Sequence, residues 1–483
     1  IWVEWRGCFP PLRADGAGVV TTLTAAFAQA AIEYRDKIAL IDGKGSAYRF
    51  SQIQDLADNY AAEWHAKGVR QGDRVLIAMG IGIELYASLA ALWSLGATVV
   101  LPEPAMGLAG LKTAITATQP KFFCATGPYV WIKLLLPRLW RTKLLTPRRQ
   151  SQKPPQPSVA DPNIVALISF TSGTTGIPKA IPRTHAFLMA QWKAVAPLLH
   201  SETEEIDLVT FPVFVLINLA EGRTSVLPNW KMSKLASLDP SALAAWISAN
   251  KCTRALLPPS LCEKLVEAKD VGSLKQIFTG GGPVFPDVIQ GLRHISEPLK
   301  ITTVYGSTEA EPIAHAHTTE QGYGLFVGRP LDAVRLRIVD TEIQVSGDHV
   351  NIGYLDPASD AETKVQDGKT IWHRTGDAGR LDDQGRLWLL GRVGDQVVTD
   401  NGEQYPFAVE TAARMWPGVT RVALMEHKKI PVLVIEGNAA QTDLWHARAA
   451  VFGVNCIQHI KAIPLDKRHH SKVDRKALRT LLN

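Results

Sequence analysis

The sequence predicts an α/β protein in two unequal parts, a large N-terminal α/β unit over residues 1–391 and a small α+β unit over 392–483. Three observations lead there. At 483 residues the chain is too long for one ordinary hydrophobic core. Strand and helix patterns alternate from Tyr48 onward, which is the rhythm of an α/β sheet. Past Arg392 the texture changes to short strands and helices, over a length that suits one small domain.

A composition of 46% hydrophobic and 20% charged residues is that of a soluble globular protein. Lys and Arg number 52 against 46 Asp and Glu, a formal excess of +6 that suits an anionic ligand but gives no evidence for nucleic acid. The five cysteines (Cys8, Cys124, Cys252, Cys262 and Cys456) are scattered and form no C-x-x-C pair. Neither a disulfide framework nor a zinc site follows, and a reducing, cytoplasmic setting is expected. Ile1 in place of Met predicts that residues precede it, and no signal peptide is visible.

Taken in order, Tyr48 to Phe50 end a strand, Ser51 caps a helix at 52–67, and Gly72-Asp73 turns the chain into a strand at 74–79. The uncharged stretch 85–101 is apolar enough to suggest a membrane span. Glu84 opens it and Gly96 divides it, however, so a helix with a Gly C-cap and then a buried strand is predicted. Residues 129–158 interleave Trp131, Leu134, Leu135, Leu136, Leu139 and Trp140 with Lys133, Arg138, Arg141, Lys143, Arg148 and Arg149 before a Pro-rich run. The expected form is an amphipathic helix that packs its Leu face on the core and solvates its charges. Recruitment to a membrane surface or a pathway enzyme through 129–149 is the alternative.

A strand-like run at 164–170 leads into Thr171, Ser172, Gly173, Thr174, Thr175 and Gly176, four hydroxyls and two glycines in six residues. The glycines let the backbone approach a ligand closely. Amides and hydroxyls suit phosphate oxygens, and Lys179 adds a positive charge. This is not a Walker A loop, because Ile177 and Pro178 follow Gly176 and Ala180 follows Lys179. A helix is expected over 184–199. Beyond it, Phe211, Phe214, Leu216 and Ile217 are candidates for a hydrophobic substrate pocket.

Further on, Thr279-Gly280-Gly281-Gly282-Pro283 permits close backbone approach to a flat ligand. Tyr305-Gly306-Ser307-Thr308-Glu309 offers ring stacking, phosphate contact and a carboxylate suited to Mg²⁺. Strands are predicted at 334–339 and 342–346. After Arg374-Thr375-Gly376, Asp377 is placed to hold a ribose diol, and Arg392 to meet ribose or phosphate. Asn401-Gly402 marks a hairpin, followed by strands at 419–426 and 430–436 and a helix at 443–452. In the basic tail, Lys472 follows a polar bend from which its ammonium can face an attacking carboxylate. His185, His373, His469 and His470 read as structural or surface residues.

The segments 169–179, 280–283, 305–309, 342–354, 374–377, 391–392 and 471–475, in that order, resemble the motif set of the AMP-forming adenylating superfamily. That group includes acyl- and aryl-CoA synthetases, peptide-synthetase adenylation domains and luciferases. The resemblance implies a multi-sheet core, a mobile C-terminal lid, and an active site between them. There a small-molecule carboxylate and Mg-ATP give acyl-AMP and pyrophosphate. It implies pyrophosphate contacts at Thr171, Ser172, Gly173, Thr174, Thr175 and Lys179, and adenine contacts at Gly281 and Gly282 with Tyr305 stacked on the base. Gly306 and Thr308 complete the nucleotide site, Glu309 binds Mg²⁺, and Asp377 and Arg392 hold the ribose. Lys472, Glu309 and Thr171 act in catalysis, and Phe211, Phe214 and Gly280 face the acyl group.

One departure bears on the product. Members that form CoA thioesters usually carry a charged hinge residue after Gly-Arg and then a Gly-x-x-Ile/Val-x-Pro-x-Glu-Ile-Glu pattern. Here Gly391 and Arg392 are followed by Val393-Gly394-Asp395 and later Asp400-Asn401-Gly402-Glu403-Gln404-Tyr405-Pro406. Phe211-Pro212-Val213-Phe214, Val398-Thr399-Asp400-Asn401-Gly402 and Arg468-His469-His470-Ser471-Lys472 look instead like the β-lactone synthetases of long-chain olefin biosynthesis. That reading implies a long-chain or β-hydroxy fatty acid whose own hydroxyl closes a ring. A fatty acyl-CoA ligase or a carrier-protein-loading fatty acyl-AMP ligase is the alternative within the class, and a non-catalytic nucleotide-binding protein the alternative outside it. The sequence does not fix the oligomeric state.

Overall fold

The computed structural model describes residues 22–147, 161–171, 178–466 and 470–483. Short β-branched runs pair into two large sheets. One has six strands in the order Lys143–Leu145, Phe122–Ala125, Arg74–Ala78, Thr98–Val100, Val165–Thr171, Lys179–Thr184. Its neighbours are parallel except the last pair, which is a hairpin. The parallel members are apolar on both faces, as buried strands require; Phe122–Ala125 is buried throughout.

The other sheet has fourteen strands. Its parallel half runs from Ile38–Ile41 through Thr224–Val226, Ile206–Val209, Arg254–Leu257 and Gln276–Gly280 to Lys300–Ser307. Its antiparallel half continues through Ala310–Ala316, Leu325–Pro330, Leu387–Arg392, Thr370–Leu381 and Glu342–Ser346 to Arg335–Val339. Buried Arg254 and Asp207 form two 2.7 Å bonds across this sheet, and Asn218 donates to Asp207 at 2.9 Å, so neither charge is buried alone.

Most predicted elements are present. The uncharged stretch resolves into the helix Ile83–Ser94 and the buried strand Thr98–Val100, separated by Gly96 at φ +68°. No helix among the described residues is long and apolar enough to cross a membrane. Thr184 caps His185–Val195 through a 3.0 Å bond from the Phe187 amide. The early cap differs from expectation: the helix is Phe50–Ala66, and Arg49 rather than Ser51 holds the cap position. Its amide donates to Gln52 Oε1 at 2.8 Å, a bond that Ser51 could not supply from inside the first turn.

The segment after Thr126 also differs. Pro137 ends the helical run Gly127–Trp131 and Ile132–Leu135 and starts the short turn Pro137–Leu139, so no long amphipathic helix forms over the described part of 129–158. Residues 148–158 of it lie outside the described residues.

After Arg392 come the hairpin Val397–Thr399/Gly402–Gln404, whose turn is Asp400-Asn401, one place before the Asn401-Gly402 expected, and a three-stranded sheet of Val419–His427, Ile430–Gly437 and Cys456–His459. The helices Pro406–Arg414, Thr442–Ala450 and Arg475–Leu482 accompany them. Two hydrophobic clusters, one around Trp445 and Val409 and one around Leu478 and Val434, draw only on residues from this stretch.

Candidate active site

Ligands in open α/β sheets sit beyond the carboxyl ends of the parallel strands. Here those ends carry the Gly280 loop, the Tyr305 segment and Thr171. Thr171 stands opposite Lys179 in the hairpin register. Ser172, Gly173, Thr174 and Thr175, expected to touch pyrophosphate, lie outside the described residues. Lys179 Nζ is 3.2 Å from Glu362 Oε2 and 5.5 Å from the centre of the Tyr354 ring. Among the described residues the hydroxyls of Ser169, Thr171 and Ser307 are buried without a hydrogen-bond partner. Buried hydroxyls are normally satisfied, and these three fit a site that gains acceptors when a phosphate ligand binds.

Tyr305, Asp377 and Arg392 form one connected group. Asp377 is paired with Arg392 across neighbouring strands. Its Oδ1 accepts from Arg392 Nη1 at 2.8 Å, and its Oδ2 accepts from the Tyr305 hydroxyl at 2.8 Å. Burial, reinforced by the Asp377 charge, pushes the Tyr305 phenol well above its ordinary range, so it stays a donor. Asp377 does not follow a turn, as expected, but lies inside the long strand Thr370–Leu381. The glycine before it, Gly376 at φ +70°, bends that strand, and its amide donates to buried Glu342 at 3.2 Å. Glu342 also takes a 2.6 Å bond from Arg374.

Glu309 is held from an unexpected side. The Tyr354 hydroxyl donates to its Oε1 at 2.9 Å, and the Asn351 amide donates to its carbonyl at 2.7 Å. Lys364 lies 5.1 Å from the Tyr354 ring centre and 3.1 Å from His373 Nδ1. Burial pulls the Lys364 ammonium down to about 8 and His373 down to about 4. The Thr308 carbonyl accepts from Arg183 at 2.6 Å, and a side chain at Gly306 would lie 2.9 Å from the Ala310 carbonyl oxygen. Among the described residues no three His, Cys, Asp or Glu cluster to hold a metal. A single carboxylate fits Mg²⁺ that is otherwise held by water and substrate phosphates.

The glycine loop meets the tail. A side chain at Gly280 would run into the Val304 carbonyl at 2.3 Å, and Gly281 sits at φ +78°. A Cβ on Gly282 would lie 2.5 Å from the Ser471 Cβ, so the residue before Lys472 rests on this loop. The Ser260 amide donates to Ser471 Oγ at 3.4 Å. Asp466 closes the bend, accepting from the Ser471 and Lys472 amides at 2.9 and 2.8 Å. Arg414 ties the C-terminal segment to Asp287 at 2.6 Å and to Glu263 at 3.0 Å.

An apolar pocket lies beside Gly280, lined by Phe211, Phe214, Leu256, Phe278 and Val304. Phe211 and Phe214 meet edge to face at 6.1 Å. Glu311 is its one charged wall among the described residues. Leu216 and Ile217 point elsewhere: Pro212–Ala220 is a helix, and its turn carries them away into other packing. The sequence did not mark Tyr354, Glu342, Lys364 or Glu311 for roles. Only Tyr354 had a local signal, since it closes Asn351-Ile352-Gly353-Tyr354.

The profile of the AMP-binding enzyme family matches residues 27–355. The chain is 28% identical to an olefin beta-lactone synthetase of Stenotrophomonas maltophilia, over 89% of this chain and 90% of that protein. It is 27% identical to another olefin beta-lactone synthetase, from Xanthomonas campestris, over 95% and 98%. It is also 27% identical to a 2-succinylbenzoate–CoA ligase of Geobacillus kaustophilus, over 83% and 84%. Among solved structures, the o-succinylbenzoate CoA synthetase of Bacillus subtilis bound to AMP superposes with a TM-score of 0.78 at 21% identity, covering 94% of this chain and 98% of that one. The same enzyme is known with ATP and magnesium ion. With the family profile spanning most of the chain, the protein belongs to the AMP-binding enzymes and is an AMP-forming ligase.

Proposed function

We propose that the protein activates a long-chain carboxylic acid, including a β-hydroxy fatty acid, with Mg-ATP, and then closes the β-hydroxy acyl group to a β-lactone. The observation that carries this reading is the apolar pocket abutting Gly280, two residues before Gly282, against which Ser471, the neighbour of Lys472, packs. Two relatives named as olefin beta-lactone synthetases support it.

A carboxylate attacking a phosphate brings two anions together. In this reading Asp377 and Arg392 fix the ribose, Thr171 and Lys179 receive the phosphates, and Lys472 steadies the attacking carboxylate and the developing charge. Mg²⁺ held by Glu309 offsets phosphate charge when bound. The acid's oxygen bonds to the α-phosphorus and pyrophosphate leaves. The β-hydroxyl oxygen then bonds to the acyl carbon, its proton is lost, and AMP departs with one of the acid's oxygens. After Gly391-Arg392 the chain reads Val393-Gly394-Asp395, a loose match to the pattern usual in thioester-forming members, which supports ring closure over thiol transfer. The CoA-ligase reading keeps one support, the 2-succinylbenzoate–CoA ligase likeness.

The adenylation step is tested with acid labelled with ¹⁸O in both carboxyl oxygens. The reading expects one label in AMP. Label confined to the acyl product, or ADP as the nucleotide product, would contradict it.

A further inference from the structure

Residues 104–147 carry six Lys and Arg and no Asp or Glu, in a chain whose whole formal excess is +6. The next carboxylate in sequence is Asp161. Within this stretch Leu136 and Leu139 are buried and anchor the broken helical segment to the core. Trp131, Leu134, Leu135 and Trp140 do the opposite, standing 66%, 63%, 65% and 62% exposed. Trp140 Nε1 donates to the Leu134 carbonyl at 3.4 Å, so the second tryptophan folds back over the turn that carries the leucines. These four side chains therefore form one projecting patch, with half-exposed Tyr129 beside Trp131 in the chain. Contiguous exposure of this kind marks an interaction surface, because each such side chain gains about 1.5–3 kcal/mol when taken out of water.

Within residues 104–147 the charges are of one sign. Arg138 donates to Thr116 at 2.6 Å and Lys133 to the Thr142 carbonyl, while Arg141 and Lys143 are exposed. Among the described residues none of these four cations makes an ion pair with a carboxylate. Tryptophan and leucine tips in a stretch with cations and no acid match the boundary between lipid headgroups and acyl chains. We infer that this face docks on an anionic lipid bilayer: Trp131, Leu134, Leu135 and Trp140 enter the headgroup–acyl boundary, and Arg138, Arg141 and Lys143 meet the headgroup phosphates. The inference does not depend on which acid the enzyme activates.

The test is co-sedimentation of the full chain with vesicles of phosphatidylcholine alone and of phosphatidylcholine mixed with phosphatidylglycerol. Two variants accompany it: Trp131→Ser/Leu134→Ser/Leu135→Ser/Trp140→Ser, and Arg138→Gln/Arg141→Gln. The parent chain should pellet with the anionic vesicles, weakly with the neutral ones, and less as salt rises. Each variant should lose binding by about tenfold or more while its release of pyrophosphate is unchanged. Equal binding to both vesicle types, no binding to either, or full binding by both variants would overturn the inference. So would gel filtration showing a dimer of the parent that the first variant dissociates without vesicles, since the face would then belong to a second copy.

Discussion

Gly282→Ala is the sharpest perturbation of the contact between the glycine loop and the Lys472 tail. Gly282 does not have a positive φ, so alanine is tolerated by the backbone there. Its methyl group would lie 2.5 Å from the Ser471 Cβ, more than 1 Å inside an ordinary carbon–carbon contact of roughly 3.5–4.0 Å. The partner atom is bonded directly to the backbone and cannot rotate away, so the tail itself must move. Overpacking of this kind costs about 1–3 kcal/mol. Charged against the seated tail, that corresponds to a fall in adenylation rate of roughly five- to 150-fold. Pyrophosphate release would be followed under saturating substrates, with ATP affinity measured separately by calorimetry. The turnover number should fall while ATP binding changes little, and Ser471→Gly in the same chain should restore much of the loss. Unchanged turnover in Gly282→Ala, or no rescue by Ser471→Gly, would refute the placement of the tail in the reaction.

Other expectations follow from single contacts. Tyr354→Phe removes the 2.9 Å bond to Glu309, worth about 1 kcal/mol, and should raise the Mg²⁺ needed for half-maximal activity roughly fivefold. Phe211→Trp narrows the apolar pocket and should shift preference to acids shorter by about two methylenes, at about 0.8 kcal/mol each, seen as a changed ratio of kcat/KM across chain lengths. Burial holds His185 at about 4, below its ordinary 6.5, so the unfolded chain takes up the proton first as pH falls. Stability is therefore intact above the ordinary value and lost on descent toward the folded one. His185→Leu should recover up to about 2 kcal/mol of that loss near pH 5, measured by denaturant titration at both pH values.

Much of the fold was legible because it rests on local rules. Gly96 divides an apolar run that would otherwise read as one segment, and the Asn401-Gly402 signal marks a real hairpin, with its turn one place earlier at Asp400-Asn401. Misreadings came where a local rule had a competitor. Gln52 caps the helix from inside it, displacing Ser51 from that role. The pattern of 129–149 looks amphipathic, but Pro137 cuts short the helix that would pack its leucines. At the site, motif residues such as Tyr305, Asp377 and Arg392 converge from strands distant in sequence, and their order along the chain was enough to nominate them. Tyr354 reaches Glu309 across 45 positions from one loop to another, and Glu342 meets Arg374 across 32 through strand pairing, contacts that no short window reveals. Glu311 looks like any surface glutamate until β pairing sets it in the wall of an apolar pocket.

The central claim, adenylation of a β-hydroxy acid followed by ring closure, is tested most directly by mass spectrometry of the products. The enzyme would receive ATP, Mg²⁺ and a long-chain β-hydroxy acid, with and without CoA. The account predicts AMP, pyrophosphate and an acyl product lighter than the acid by one water, in equal yield whether or not CoA is present. A thioester that forms only when CoA is added, with no dehydrated product, would contradict it.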